Sequence, residues 1–179
     1  MKIYLIGFMA SGKTTAGQEL SNMLGFQFID LDEYIETKNK RTVKQLFEIN
    51  GEDYFRMVEN EALKEVSSFD GNYIISSGGG TSCFYNSIDF MNKAGMTIYL
   101  RMEVSTLVSR LVDSKIDRPL LWGKTKEELN NYIIRVLDER KKFYEKAKVV
   151  VDADNLNVHD LAKTLKEIIR GEEVKNNAN

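Results

Sequence analysis

The chain has 179 residues, 42% of them hydrophobic, which suffices for one well-buried core and is short for two ordinary domains. Its 25 Lys and Arg stand against 27 Asp and Glu, a formal net charge of -2, so no global basic field is available to hold nucleic acid or an anionic membrane. A lone cysteine, Cys83, excludes an internal disulfide and a cysteine-rich metal site, and no stretch approaches the roughly 20 apolar residues that span a bilayer. The expectation is a soluble, cytoplasmic, monomeric protein with neither nucleic acid nor membrane as partner.

Short apolar runs alternate with longer stretches of helical period, a pattern that predicts an α/β fold with a parallel sheet covered by helices. The first strand, Lys2 to Ile6, runs into Gly7-Phe8-Met9-Ala10-Ser11-Gly12-Lys13-Thr14, a full match to GxxxxGK[ST]. Thr15 to Leu24 follow, with Ala16, Leu20 and Leu24 on one helical face, so the motif has the strand, loop and helix it requires. In such a loop the residues Gly7, Ala10, Ser11, Gly12 and Thr15 turn backbone N–H groups toward a phosphate, helped by the positive end of the helix. Lys13 would reach the β- and γ-phosphates of a nucleotide, and the Thr14 hydroxyl would bind Mg²⁺.

The second strand, Gln27 to Asp30, ends in Asp30-Leu31-Asp32. Alternation along an extended chain predicts both carboxylates on the ligand side of the sheet edge, one for the Mg²⁺ shell and one for an acceptor hydroxyl. Asp at such a place also caps helices. In the stretch Gly51 to Glu59, Arg56 and Glu59 lie three residues apart and share a helix face, the spacing of an ordinary ion pair. Phe55, Val58, Ala62, Val66 and Phe69 form the apolar face of that helix.

A third strand, Tyr73 to Ser77, leads directly to Gly78-Gly79-Gly80, three residues without Cβ that admit close approach to the backbone or form a flexible turn. A fourth strand, Thr97 to Arg101, precedes a helix with Val104, Leu107, Val108 and Leu111 on one face. From 112 to 124 the period breaks and Lys115, Arg118 and Lys124 appear around the chain's one proline, Pro119. A mobile basic lid over phosphates and an ordinary solvated loop are both open for this segment. Arg140, in a helical stretch of charged residues, reads on its own as part of a solvated face. The last strand is Lys148 to Asp152. His159 reads as a surface residue, and the polar tail 171–179 as frayed or disordered.

Taken in order, the P-loop, Asp-x-Asp, GExxFRxxE, GGG, RPLL and an Arg followed by an aromatic pair resemble the shikimate kinase family, from about Lys2 to Arg170. The resemblance implies a single P-loop kinase domain over 1–170, with a three-layer fold: a five-stranded parallel sheet, helices on both faces and a mobile lid at about 112–124. It further implies an acceptor-binding region at about 31–62 and transfer of the γ-phosphate of ATP to a hydroxyl of shikimate, with Mg²⁺. Asp32 then orients the acceptor or takes its proton, and Arg56 and Arg140 hold the shikimate carboxylate, with Glu59 bracing Arg56. Gly78, Gly79 and Gly80 form the backbone wall of that site, Arg118 meets the ATP phosphates, and Asp30 with Thr14 manages the metal. Arg110 and the segment 152–155, including Asn155, fall near the adenine-contacting positions.

Many members of that family carry Gly where this chain has Ala10, so the conformation there must be one that a residue with Cβ can adopt. Two other readings share the loop: a kinase for another small acceptor, such as gluconate or a nucleoside monophosphate, and a nucleotide-dependent switch or binding module. The GExxFRxxE and RPLL segments argue against the first. The second lacks an Asn-Lys-x-Asp guanine-reading segment and an Asp-x-x-Gly switch.

Overall fold

In the computed structural model, residues 1–113 and 125–176 are described, with side chains to residue 171. Five strands, β1 (Lys2–Ile6), β2 (Gln27–Asp30), β3 (Tyr73–Ser76), β4 (Met96–Arg101) and β5 (Val149–Asp152), pair in the order β2-β3-β1-β4-β5, and every pair is parallel. The helices are α1 (Lys13–Leu24), α2 (Leu31–Asn39), α3 (Val43–Ser68), α4 (Ser87–Ala94), α5 (Val104–Asp113), α6 (Lys126–Tyr144) and α7 (Val158–Asn176).

The central strand explains the layering. Alternation along β1 sends Ile3 and Leu5 to one face and Tyr4 and Ile6 to the other, all of them buried. The first face is covered by α1, α5 and α7 through residues such as Leu20, Leu107 and Leu165; the second by α2, α3 and α4 through Ile35, Leu63 and Met91. Each such aliphatic side chain, fully removed from water, contributes about 1.5–3 kcal/mol. The predicted helix faces hold: Phe55, Ala62 and Val66 are buried on α3, and Leu107, Val108 and Leu111 on α5.

Helix α6 belongs to both layers. It starts among Leu129, Ile133 and Val136 on the first face and ends with Tyr144 fully buried in the second, stacked on Tyr99 of β4 at 4.9 Å. A capping box at Thr125 and Glu128 fixes its start. The long helix α3 is likewise boxed at its start, by Thr42 and Gln45, but breaks at Gly51, whose φ of 81° and ψ of 173° leave the helical region. The sequence reading did not anticipate that kink.

Two expectations are corrected, beside one-residue shifts at an end of β3, β4 and β5. β2 ends at Asp30 and Leu31 already belongs to α2, so Asp32 is a first-turn helical residue and strand alternation does not orient it. Helix α7 continues past Gly171 to Asn176, because Glu172, Glu173 and Lys175 are good helix formers despite their polarity. The proposed lid, 112–124, lies almost wholly outside the described residues. Among the described residues no helix is long and apolar enough to cross a membrane.

Candidate active site at the carboxyl edge of the sheet

A cavity of about 310 Å³ opens beyond the carboxyl ends of β1, β2 and β3, where the strands hand over to loops and helices. Ala10, Gly12, Lys13, Thr14, Thr15, Asp30, Asp32, Gly78, Gly79 and Arg110 line it, all of them singled out in the sequence. Met9, Ser76 and Ser77 also line it and were not. The two serines directly precede the glycine run, a position that marks them only once β3 is known to end there.

The loop between β1 and α1 is held by its own polar groups. Lys13, buried despite its charge, donates from Nζ to the carbonyls of Gly7 at 2.9 Å and Phe8 at 2.8 Å. Gly7 needs its lack of Cβ, since a Cβ there would sit 2.8 Å from the Leu100 carbonyl oxygen. Among the described residues the buried Ser11 hydroxyl has no hydrogen-bond partner, a polar atom that a phosphate oxygen held by the loop would satisfy. Arg110 crosses from α5 to donate to the Ala10 carbonyl at 3.2 Å.

Ala10 adopts its conformation with a Cβ, but at a cost. Its φ is 64°, in the left-handed region that L-residues with Cβ visit at a cost of roughly 1–2 kcal/mol. Arg110 is the contact that offsets part of that strain by satisfying the outward-turned carbonyl.

Asp30 serves two purposes. Its Oδ1 caps α2 by accepting from the amides of Asp32 at 3.1 Å and Glu33 at 3.4 Å, while its Oδ2 accepts from the Thr14 hydroxyl at 2.7 Å. The capping explanation for this carboxylate holds, and its second oxygen is turned to Thr14 at the cavity. Thr14 and Asp30 offer adjacent hard oxygens of the kind Mg²⁺ uses together with substrate phosphates. Among the described residues no group of three His, Cys, Asp or Glu could hold a metal without such help.

Next to this lies a second constellation, built around the glycine run. Arg56 is buried and donates from Nη1 to Glu59 Oε2 at 2.8 Å, and Glu59 Oε1 accepts from the Thr81 hydroxyl at 2.6 Å. The spacing that suggested a surface ion pair thus belongs to an interior one. Both Nε and Nη2 of Arg56 donate to Glu52 Oε1, at 3.2 and 3.0 Å. The guanidinium also lies 4.5 Å from the ring centre of Phe84 and 5.3 Å from that of Phe55.

Arg140, on α6, donates to the Gly79 carbonyl at 2.9 Å, and the Tyr144 hydroxyl donates to the same oxygen at 2.5 Å. Burial pushes the Tyr144 phenol well above its ordinary value, so near neutrality it stays protonated and keeps that bond. For Arg140 burial works against the charge, but the neighbouring Tyr144, Cys83 and Tyr132 together offset it and the guanidinium ends above its ordinary value. Tyr144 was visible in sequence only as half of an aromatic pair.

The glycines themselves do not use left-handed geometry, since none of the three has positive φ. They are needed for room. A Cβ on Gly78 would lie 2.6 Å from Glu59 Oε1 and 3.0 Å from Asp32 Oδ1, one on Gly79 would lie 3.1 Å from the Met9 amide nitrogen, and one on Gly80 would lie 2.6 Å from Arg56 Nη1. The run is a tightly approached wall rather than a flexible turn.

Two expected residues stand apart. Asn155 is exposed, bonded to Asp152 Oδ2 at 3.2 Å, and does not line the cavity; Arg118 lies outside the described residues.

A family model described as shikimate kinase matches residues 9–170. A shikimate kinase from Parabacteroides distasonis is 41% identical over 172 residues, 94% of this chain and 99% of its own. Among solved structures, shikimate kinase from Bacteroides thetaiotaomicron superposes with a TM-score of 0.88 at 40% identity, covering 95% of this chain and 98% of that one. Shikimate kinase from Acinetobacter baumannii, solved in complex with shikimate, gives 0.82 at 31% identity, with 96% and 93% covered. A gluconokinase from Sinorhizobium meliloti, at 17% identity and a TM-score of 0.56 over 90% of this chain and 87% of that one, shares the fold alone.

Because the Gly80 Cα faces the Arg56 guanidinium with no spare space, Gly80→Ala is expected to destabilise the fold by about 1–3 kcal/mol through overpacking. Urea unfolding measures it; a variant as stable as the parent would mean that the guanidinium has slack.

Proposed function

This chain belongs to the shikimate kinase family, and from that premise we propose how its own residues move the γ-phosphate of ATP onto a hydroxyl of shikimate. The observation that carries the reading is the convergence on one three-glycine wall of two guanidinium groups, Arg56 and Arg140, and two carboxylates, Asp32 and the Arg56-bound Glu59. A carboxylate-bearing, hydroxylated ring docked on that wall meets a permanently charged fork at each arginine and an acceptor at Asp32.

On the donor side, the amides of the loop from Gly7 to Thr15, and the start of α1, take the phosphates. Lys13 exchanges its bonds to the Gly7 and Phe8 carbonyls for phosphate oxygens, and the Ser11 hydroxyl gains the partner it lacks. Arg110 steadies the loop through the Ala10 carbonyl and approaches the nucleotide from α5. Arg118 of the lid adds positive charge over the phosphates, and Asn155 borders the base from the loop after β5. Thr14 and Asp30 would hold Mg²⁺, which would neutralise charge on the phosphate oxygens.

Asp32 faces the acceptor hydroxyl and receives its proton as the oxygen forms a bond to the γ-phosphorus and the bond to the ADP oxygen breaks. Glu59, anchored on both oxygens by Arg56 and Thr81, keeps the Arg56 fork aimed at the wall. Most of the acceleration then comes from placement and from charge around the transferring group. A coupled assay with ATP and a panel of shikimate, gluconate and nucleoside monophosphates tests the acceptor directly; turnover with gluconate or a nucleotide but not shikimate overturns the reading.

Three substitutions test the roles. Arg56→Lys keeps the charge and loses the fork, so KM for shikimate is expected to rise at least about tenfold while KM for ATP holds. Asp32→Asn is expected to lower kcat by about 10²–10⁴ with nucleotide binding retained, read by steady-state kinetics and ADP titration. Thr14→Val is expected to raise the Mg²⁺ concentration needed for half-maximal turnover and to leave KM for shikimate in place; an unchanged metal requirement removes Thr14 from the metal site.

A further inference from the structure

Glu52 is the first residue after the Gly51 break in α3, and its side chain is 53% exposed. Through a single oxygen, Oε1, it accepts from both Nε and Nη2 of Arg56, which is the whole side-on edge of the guanidinium. Glu59, by contrast, is 3% exposed and bonded through each oxygen to a different partner. The two glutamates that meet Arg56 therefore differ in kind: one is locked into the interior and one stands in water.

The position of Arg56 does not depend on Glu52. Glu59 fixes Nη1, Phe84 and Phe55 pack on the guanidinium, and Gly80 lies against it with no spare room. Glu52 instead supplies a carboxylate where the acceptor's own carboxylate has to be received. With Glu52 in place, the docked acceptor would bring a third carboxylate, after Glu52 and Glu59, to two guanidinium groups. Its exposed side and the open space around the Gly51 Cα give Glu52 a way out.

We propose that Glu52 is an internal competitor for the acceptor carboxylate: it occupies the side-on edge of Arg56 until substrate displaces it into solvent, and so sets the affinity for the anionic acceptor. This rests on the reading of Arg56 as an acceptor-binding residue. An exposed carboxylate that releases an arginine gives up little, of the order of an exposed ion pair, so the displacement weakens binding modestly and does not forbid it.

The test is Glu52→Gln in the full chain, which keeps the shape and removes the charge. KM and calorimetric Kd for shikimate are expected to fall about two- to fivefold, with KM for ATP unchanged. The uncharged methyl ester of shikimate is expected to show no such gain. A KM for shikimate that rises or stays the same overturns the proposal, and so does an equal gain for the ester, because neither is competition between carboxylates. Arg56→Lys run in parallel separates the two layers of the argument: if it leaves KM for shikimate unchanged, the acceptor reading itself fails. If it raises KM and Glu52→Gln lowers nothing, only the competitor fails.

Discussion

Everything at the active edge of this fold depends on the bare backbone of Gly78, Gly79 and Gly80. Glu59, Asp32, Arg56, Arg140 and Tyr144 reach that backbone at distances a methyl group would forbid or through its one central carbonyl. Asp32 comes from α2, and Arg56 and Glu59 from α3, on one layer; Arg140 and Tyr144 come from α6, which starts in the other. The Gly79 carbonyl, doubly bonded by Arg140 and Tyr144, is where the layers are tied together at the height of the cavity. Because these bonds end on main chain, the geometry they impose is inherited from β3 and through it from the whole sheet.

The distribution of charge follows from this arrangement. In the loop after β1 a buried lysine is satisfied by two backbone carbonyls, those of Gly7 and Phe8. Beside it, carboxylates and guanidinium groups alternate around the wall, so each guanidinium is oriented by a partner before any ligand arrives. Such orientation removes reorganisation from the chemical step, and in a site that closes against water it is worth more than the same contacts in solvent.

Much of this was legible from the chain. The strands were found within a residue of their true ends, because short apolar runs next to glycine and aspartate leave little choice, and the GxxxxGK[ST] match placed the loop at once. Less legible was anything depending on distance across the fold. From spacing alone Arg56 read as half of a surface ion pair and Arg140 as part of a solvated face, so only the family resemblance singled them out, and Tyr144 carried no signal beyond being aromatic. Asp30 could be a cap or a ligand-facing carboxylate, and period arguments could not reveal that one oxygen caps α2 while the other accepts from Thr14. The Gly51 kink escaped because one glycine in a helical pattern is usually tolerated, and only its φ shows that it breaks the helix.

Ala10 has a consequence for thermodynamics rather than shape. A methyl group at a left-handed bend narrows the range of conformations open to the loop when it is unfolded or unbound, where glycine would leave it wide. The chain accepts a standing steric cost at that residue and in return has less conformational entropy to lose when the loop wraps an anion. Nucleotide affinity in this protein should accordingly carry a smaller entropic penalty, and a larger dependence on the Arg110 tether, than in a loop with glycine at the same bend.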